Sequence, residues 1–130
     1  MARRLFWHFV AVSYLDGIEI VSESFHKIIP RYQNQEKVLL LLDPPYLCTR
    51  QESYKQAIYF DLIDFLRLVN LTKPPYIFFS STKSEFIRYL DYMQESKTDN
   101  WKAFENYERI VVKASTSKGG IYEDNMIYKF

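Results

Sequence analysis

Val38-Leu39-Leu40-Leu41-Leu42-Asp43-Pro44-Pro45-Tyr46 decides how the rest of this chain is read. Its five apolar residues run without alternation, which suits a strand buried on both faces, as in a parallel sheet covered by helices. Pro44 and Pro45 close the run, because proline has no N–H to give to a ladder and its ring fixes φ. In open α/β sheets, ligands bind outside the carboxyl ends of the strands. Asp43 therefore stands where a reactive acid is expected, on a loop stiffened by two prolines. Asp and Pro are also ordinary loop formers after a strand. The word D-P-P-Y is more restrictive, arising by chance in roughly one chain per thousand of this length.

Upstream, Ile18 to Val21 reads as a strand after the Asp16-Gly17 turn, and Ser24 reads as the cap of a short helix through Ile29 that Pro30 ends. Downstream, Tyr54 to Leu71 carries Ile58, Leu62, Phe65, Leu66 and Val69 at helical steps. Lys73-Pro74-Pro75 stops that helix and leads into a strand, Tyr76-Ile77-Phe78-Phe79-Ser80. Ser81 or Thr82 then caps a helix bearing Phe86, Ile87, Leu90 and Met93. Residues 96–106 read as a polar loop or short helix. Arg109 to Lys113 and Asn125 to Phe130 flank the turn-rich segment Ser115 to Gly120 and read as an antiparallel hairpin at a sheet edge. Alternating strands and helices predict an α/β fold of mostly parallel strands with a C-terminal antiparallel hairpin and helices on both faces. Residues 1–130 contain no repeat or linker and read as a single domain.

Composition narrows the function classes. The 130 residues hold 17 Lys+Arg against 16 Asp+Glu, and a net charge of +1 makes no global field to hold nucleic acid by charge alone. Hydrophobic residues make up 48%, against disorder, yet no stretch approaches the roughly 18 apolar residues of a membrane span. Eleven Tyr, 10 Phe and 2 Trp supply large buried areas and flat surfaces for stacking bases. Lone Cys48 precludes an internal disulfide, fits a reducing compartment and reads as an inert thiol. Arg3-Arg4 and the apolar run after it mimic a signal peptide, but His8 interrupts the run and no cleavage site follows, so a cytoplasmic protein is expected. His8 and His26 lie eighteen apart without a Cys pair or an H-E-x-x-H spacing, so no metal site is expected. Ser80-Ser81 reads equally as a cap or as a lining of the cleft beside Asp43. Lys83, Arg88, Lys113 and Lys118 read as solvated surface or as phosphate contacts.

Asp43-Pro44-Pro45-Tyr46 after a hydrophobic strand resembles the catalytic motif of the DNA adenine methylase family, the adenine-specific N6-methyltransferases of the DPPY type. The resemblance runs from about Gly17 to Phe130. Ile58 to Leu71 is similar to the helix that follows the motif, Tyr76 to Ser81 to the next strand, and Tyr122 to Tyr128 to the family's last strand. It implies a partial Rossmann-like methyltransferase sheet, S-adenosylmethionine as cofactor, and a flipped adenine in DNA as substrate, as in restriction-modification. Catalytic roles would fall on Asp43, Pro44, Pro45 and Tyr46. The Asp43 carboxylate and the Pro44 carbonyl would accept hydrogen bonds from the N6 amine, and Tyr46 would stack on the base.

Two departures from the family pattern stand out. The family's upstream F-x-G-x-G cofactor loop is absent, since the three glycines are Gly17, Gly119 and Gly120. Where the family has an acidic residue before a Phe to hold the cofactor's adenine, this chain has Ser24-Phe25, with Glu23 adjacent. The resemblance thus implies the catalytic half of a methyltransferase, as a fragment or one component of a split enzyme. With the first strand missing, the edge at Val38–Leu42 is left unpaired. Leu5–Tyr14, read as a strand, is one candidate to fill it; a second copy, giving a homodimer, or a complementing methyltransferase subunit are the others, with self-association favoured. The alternative function is an inactive methyltransferase-derived interaction module, and the third reading is a small α/β domain in which the tetrapeptide is accidental.

Overall fold

One four-stranded sheet organises the chain in the order β1-β2-β4-β3, with β1 at Leu40–Leu42, β2 at Tyr76–Ser81, β3 at Glu108–Ser115 and β4 at Ile121–Lys129. Helices α1 (Phe25–Tyr32), α2 (Leu62–Leu71) and α3 (Phe86–Ser96) pack on it. These positions come from a computed structural model that describes residues 16–47, 60–115 and 119–130.

The α/β class and the C-terminal hairpin agree with the sequence reading; the strand directions do not. Among the described strands only β1 and β2 pair in parallel, whereas β2–β4 and β4–β3 are antiparallel, so this sheet is not mostly parallel. The reason lies at β1. Ile18–Val21, expected as a strand, forms none, and Ile18 and Ile20 are 56% and 79% exposed. A strand exists only by pairing, and no described strand lies on the far side of β1. The hairpin needs no such outside help, because it brings its own partner strand through a short connection. The Leu5–Tyr14 strand expectation lies outside the described residues.

Helices were expected on both faces, but all three bury their apolar sides against one. Strand side chains alternate between faces. Through the pairings Leu42↔Phe78 and Phe78↔Ile127, the side chains of Leu40, Leu42, Tyr76, Phe78, Asn125 and Ile127 share a face. The single core joins Tyr76, Phe78 and Ile127 to Ile29 of α1, Phe65, Leu68 and Val69 of α2, and Phe86, Leu90 and Met93 of α3. Val38–Leu42 is correspondingly not buried on both sides: Leu40 and Leu42 pack against the core, while Leu39 and Leu41 are exposed.

Local chemistry explains the element ends. The Ser24 hydroxyl accepts the His26 N–H at 3.4 Å and starts α1, as expected. Pro30 does not end that helix, which continues to Tyr32, and the Gln33 N–H still reaches the Ile29 carbonyl at 2.9 Å. One missing N–H is tolerable in a helix whose buried Ile29 holds it to the core. The helix expected from Tyr54 begins only at Leu62, where the Asp61 carboxylate accepts the Asp64 N–H at 3.0 Å; residues 54–59 lie outside the described ones. Ser81 caps the 3-10 turn Thr82–Ser84 rather than α3, whose start instead follows Glu85 at φ +55° with no side-chain cap. Within the core, Phe86 stacks tilted on Phe78 at 4.5 Å and meets Phe65 edge-on at 5.3 Å. The buried Tyr76 hydroxyl donates to the Ala103 carbonyl at 3.2 Å. Asn100 donates through Nδ2 to the carbonyls of Val69 and Thr72 at 2.7 and 2.9 Å, closing the C-terminal end of α2.

Candidate active site

The ladder ends at Leu42, opposite Phe78, so Asp43 leaves the sheet beside Phe79 at the carboxyl end of β1. Across β2, the pairings Phe79↔Met126, Ser80↔Asn125 and Ser81↔Asp124 bring the first half of β4 to the same end. Ile110 and Val112 of β3 follow opposite Met126 and Asp124. Segments far apart in sequence thus converge around the tetrapeptide.

Two clefts meet at Asp43. The first encloses about 390 Å³ between Asp43 and Tyr46 on one side, a floor of Phe79, Met126, Ile110 and Val112, and Asp124 and Asn125 opposite. The second, about 350 Å³, is lined by Glu23, Ser24 and Phe25, by Leu41 to Pro45, and by Phe60 and Leu68. Asp43 is exposed, while Pro44, Pro45 and Tyr46 are half-buried. The four tetrapeptide residues and the Ser24-Phe25 pair, singled out separately in the sequence, therefore stand around one junction. Phe25 is held there by an edge-on contact with Phe60 at 6.3 Å and by the core.

The chemistry of the first cleft is specific in one respect. Among the described residues its lining includes two carboxylates and no Lys or Arg, so these residues offer hydrogen-bond acceptors over an apolar floor and no cation for an anionic group. That combination suits a flat, uncharged ring carrying N–H donors. In the second cleft, Glu23 is turned toward Arg31, whose guanidinium it meets at 3.0 Å and whose pKa it raises by its charge. Gly17 and Gly119 sit in turns at φ +84° and +81°, and neither lines a cleft. The residues present thus fit the ring part of a nucleoside cofactor, against Phe25, and provide no glycine cradle for its tail.

The other residues singled out in the sequence are placed as follows. Ser80 and Ser81 are buried and line neither cleft; the Ser81 hydroxyl accepts the Lys83 N–H at 3.2 Å, the capping role. Lys83 lies over the Tyr122 ring at 3.9 Å and Arg88 pairs with Glu85 at 3.0 Å. His26 is a half-buried helix residue 3.7 Å from Asp64. Cys48, His8 and Lys118 lie outside the described residues. Among the described residues, no group of three His, Cys, Asp or Glu is placed to hold a metal, and no helix is long and apolar enough to cross a membrane. Sequence reasoning did not single out Phe79, Ile110, Val112, Asp124 and Met126 as site residues. The alternation within the two hairpin strands marked which of these share a face; only the register with β2 brings that face to Asp43.

Comparison with known proteins adds a relative. The chain is 89% identical over 120 residues, 92% of its length, to a protein of Haemophilus influenzae named "Putative methyltransferase". The match covers 40% of that protein, so the chain spans well under half the length of its relative. No family model matches the chain. No solved structure matches it.

Proposed function

We propose that this chain is the catalytic half of an adenine-specific DNA N6-methyltransferase that uses S-adenosylmethionine and is completed by a polypeptide carrying the glycine-rich loop. The observation that carries this reading is the place of Asp43-Pro44-Pro45-Tyr46, at the carboxyl end of β1 where two clefts meet. The name of the Haemophilus influenzae relative supports a methyltransferase in general. Adenine and DNA are inferred from the tetrapeptide.

The chain's own residues have defined tasks in this mechanism. An aromatic amine is a poor nucleophile because its lone pair is delocalised into the ring. A hydrogen bond to the Asp43 carboxylate and a second to the Pro44 carbonyl draw the nitrogen toward tetrahedral geometry and return the lone pair to it. Proline carries that carbonyl on a backbone of fixed φ, so the acceptor needs no reorganisation. Asp43 also receives the proton that the amine gives up. Tyr46 stacks on the flipped base and offsets part of its unstacking, above the floor of Phe79 and Met126. When bound, S-adenosylmethionine supplies the methyl group, and Phe25 in the adjoining cleft packs on its adenine ring.

The test is reconstitution. The chain is co-expressed with the part of the Haemophilus influenzae relative outside the match, and the complex is given labelled cofactor and adenine-containing duplex DNA. N6-methyladenine should form and should disappear in Asp43→Ala. A folded complex that yields no methylated adenine overturns the reading. That result would instead favour an inactive interaction module, a second reading that the sheet face left bare among the described residues makes concrete.

A further inference from the structure

The cleft that takes the base in the proposed reaction holds two carboxylates, Asp43 and Asp124, and no Lys or Arg among the described residues. A base in DNA does not arrive alone, because its sugar brings a charged phosphate on either side. At an acidic mouth those phosphates are repelled unless a cation stands close by. Side chains on a strand return to the same face every second residue, about 7 Å further on. Tyr122 therefore shares the cleft face with Asp124, just beyond the last pairing of β4 with β2, Ser81↔Asp124. The Lys83 ammonium lies over its ring, 3.9 Å from the centroid.

Lys83 is placed by the turn it belongs to. Thr82–Ser84 follows β2 at its carboxyl end, beside the end of β1 from which Asp43 leaves the sheet. The Ser81 hydroxyl accepts the Lys83 N–H at 3.2 Å, and the Ser84 hydroxyl donates to the Ser81 carbonyl at 2.7 Å. The Thr82 hydroxyl accepts the Glu123 N–H at 3.1 Å, which ties the turn to the residue next to Tyr122. The ring restrains the ammonium without neutralising it, and no carboxylate pairs with Lys83 among the described residues. Neighbouring cations are committed or turned away. Arg109 gives its guanidinium to Asn125 and Glu123 at 2.7 and 3.3 Å, and Arg88 pairs with Glu85 at 3.0 Å. Lys113, opposite Glu123, falls on the helix-bearing face.

We propose that Lys83, held over Tyr122, binds a backbone phosphate beside the flipped adenine and anchors that nucleotide at the mouth of the cleft. The assignment rests on the methyltransferase reading and adds to it the residue that holds the charged part of the substrate. The contact is the same before and during methyl transfer, so it acts on binding rather than on the chemical step.

The test uses the reconstituted complex and reads DNA binding by fluorescence anisotropy over a series of salt concentrations. Lys83→Gln removes one phosphate contact, so the slope of log affinity against log salt should fall in magnitude by about one. Its KM for DNA at low salt should rise by about fivefold, with kcat within about twofold, and Lys83→Arg should restore most of the loss. A neutral methylphosphonate in place of the contacted phosphate beside the methylated adenine should erase the difference between Lys83→Gln and the parent. Lys97→Gln is the control: Lys97 lies over Trp101 at 3.7 Å, a similar arrangement at the C-terminal end of α3, and its loss should change neither slope nor KM. Circular dichroism confirms that each variant is folded. A parent complex that forms no N6-methyladenine overturns the methyltransferase reading and this assignment together. In a complex that does methylate, the assignment alone is overturned if Lys83→Gln leaves slope and KM unchanged, if Lys97→Gln has an equal effect, or if no neutral linkage beside the adenine erases the difference.

Discussion

Asp43 is exposed, as the proposed reaction asks of a carboxylate that meets an amine arriving from outside, and the two prolines that follow it limit how far it can drift. If it accepts a hydrogen bond that strengthens only as the amine becomes tetrahedral, its loss should appear in turnover more than in binding. In the reconstituted enzyme, Asp43→Ala should lower kcat by about 10²–10³-fold with little change in KM, read by steady-state methylation kinetics. Asn100 makes a purely structural case. It sits at φ +63° and its amide serves two carbonyls at the end of α2. Asn100→Gly keeps the backbone freedom and loses the hydrogen bonds, so it should cost about 1–3 kcal/mol in urea unfolding. Asn100→Ala should cost about 1 kcal/mol more, because Ala resists the left-handed conformation.

At the scale of elements, each helix start is an independent local event. The Asp61 cap satisfies an N–H that α2 cannot satisfy itself, at an exposed position where little else changes. Asp61→Ala should therefore lower stability by about 1 kcal/mol, and Asp61→Ser should restore most of it; thermal melts of the three proteins decide. Strands behave otherwise. Ile18–Val21 has strand-like residues and remains unpaired, while β3 and β4 form a full ladder from Glu108↔Tyr128 to Ser115↔Ile121. The difference is the supply of a neighbour, not propensity.

For the whole molecule, the buried Tyr76 and the half-buried Tyr89 and Tyr107 that pack against the core have a consequence at alkaline pH. Burial raises the pKa of Tyr76 far above its ordinary value of 10.0, with the nearby Tyr107 adding to the effect, and burial likewise raises Tyr89 and Tyr107. Above that ordinary value the unfolded chain loses these protons while the folded chain keeps them. The unfolded state is then favoured, so stability is full below about pH 10 and falls as pH rises beyond it. Urea midpoints should be flat at neutral pH and decline above roughly pH 10, with a shallower decline in Tyr76→Phe. A midpoint that does not move up to roughly pH 11 would remove buried tyrosine as the cause.

What the sequence alone determined is what short-range physics controls: the abrupt end of a strand at Asp43, the cap at Ser24, the hairpin, and a tetrapeptide rare enough to suggest a chemistry. The tertiary structure decided the rest. It joined Ser24 and Phe25 to Asp43, added Asp124 and the Phe79–Met126 floor, and directed the three described helices to one face, leaving the other bare among the described residues. Capping and side-chain alternation are settled within a few residues, so they are written locally. Pairing and burial depend on what distant segments bring to the same place, and a strand or a face without its partner looks the same in sequence as one that has it.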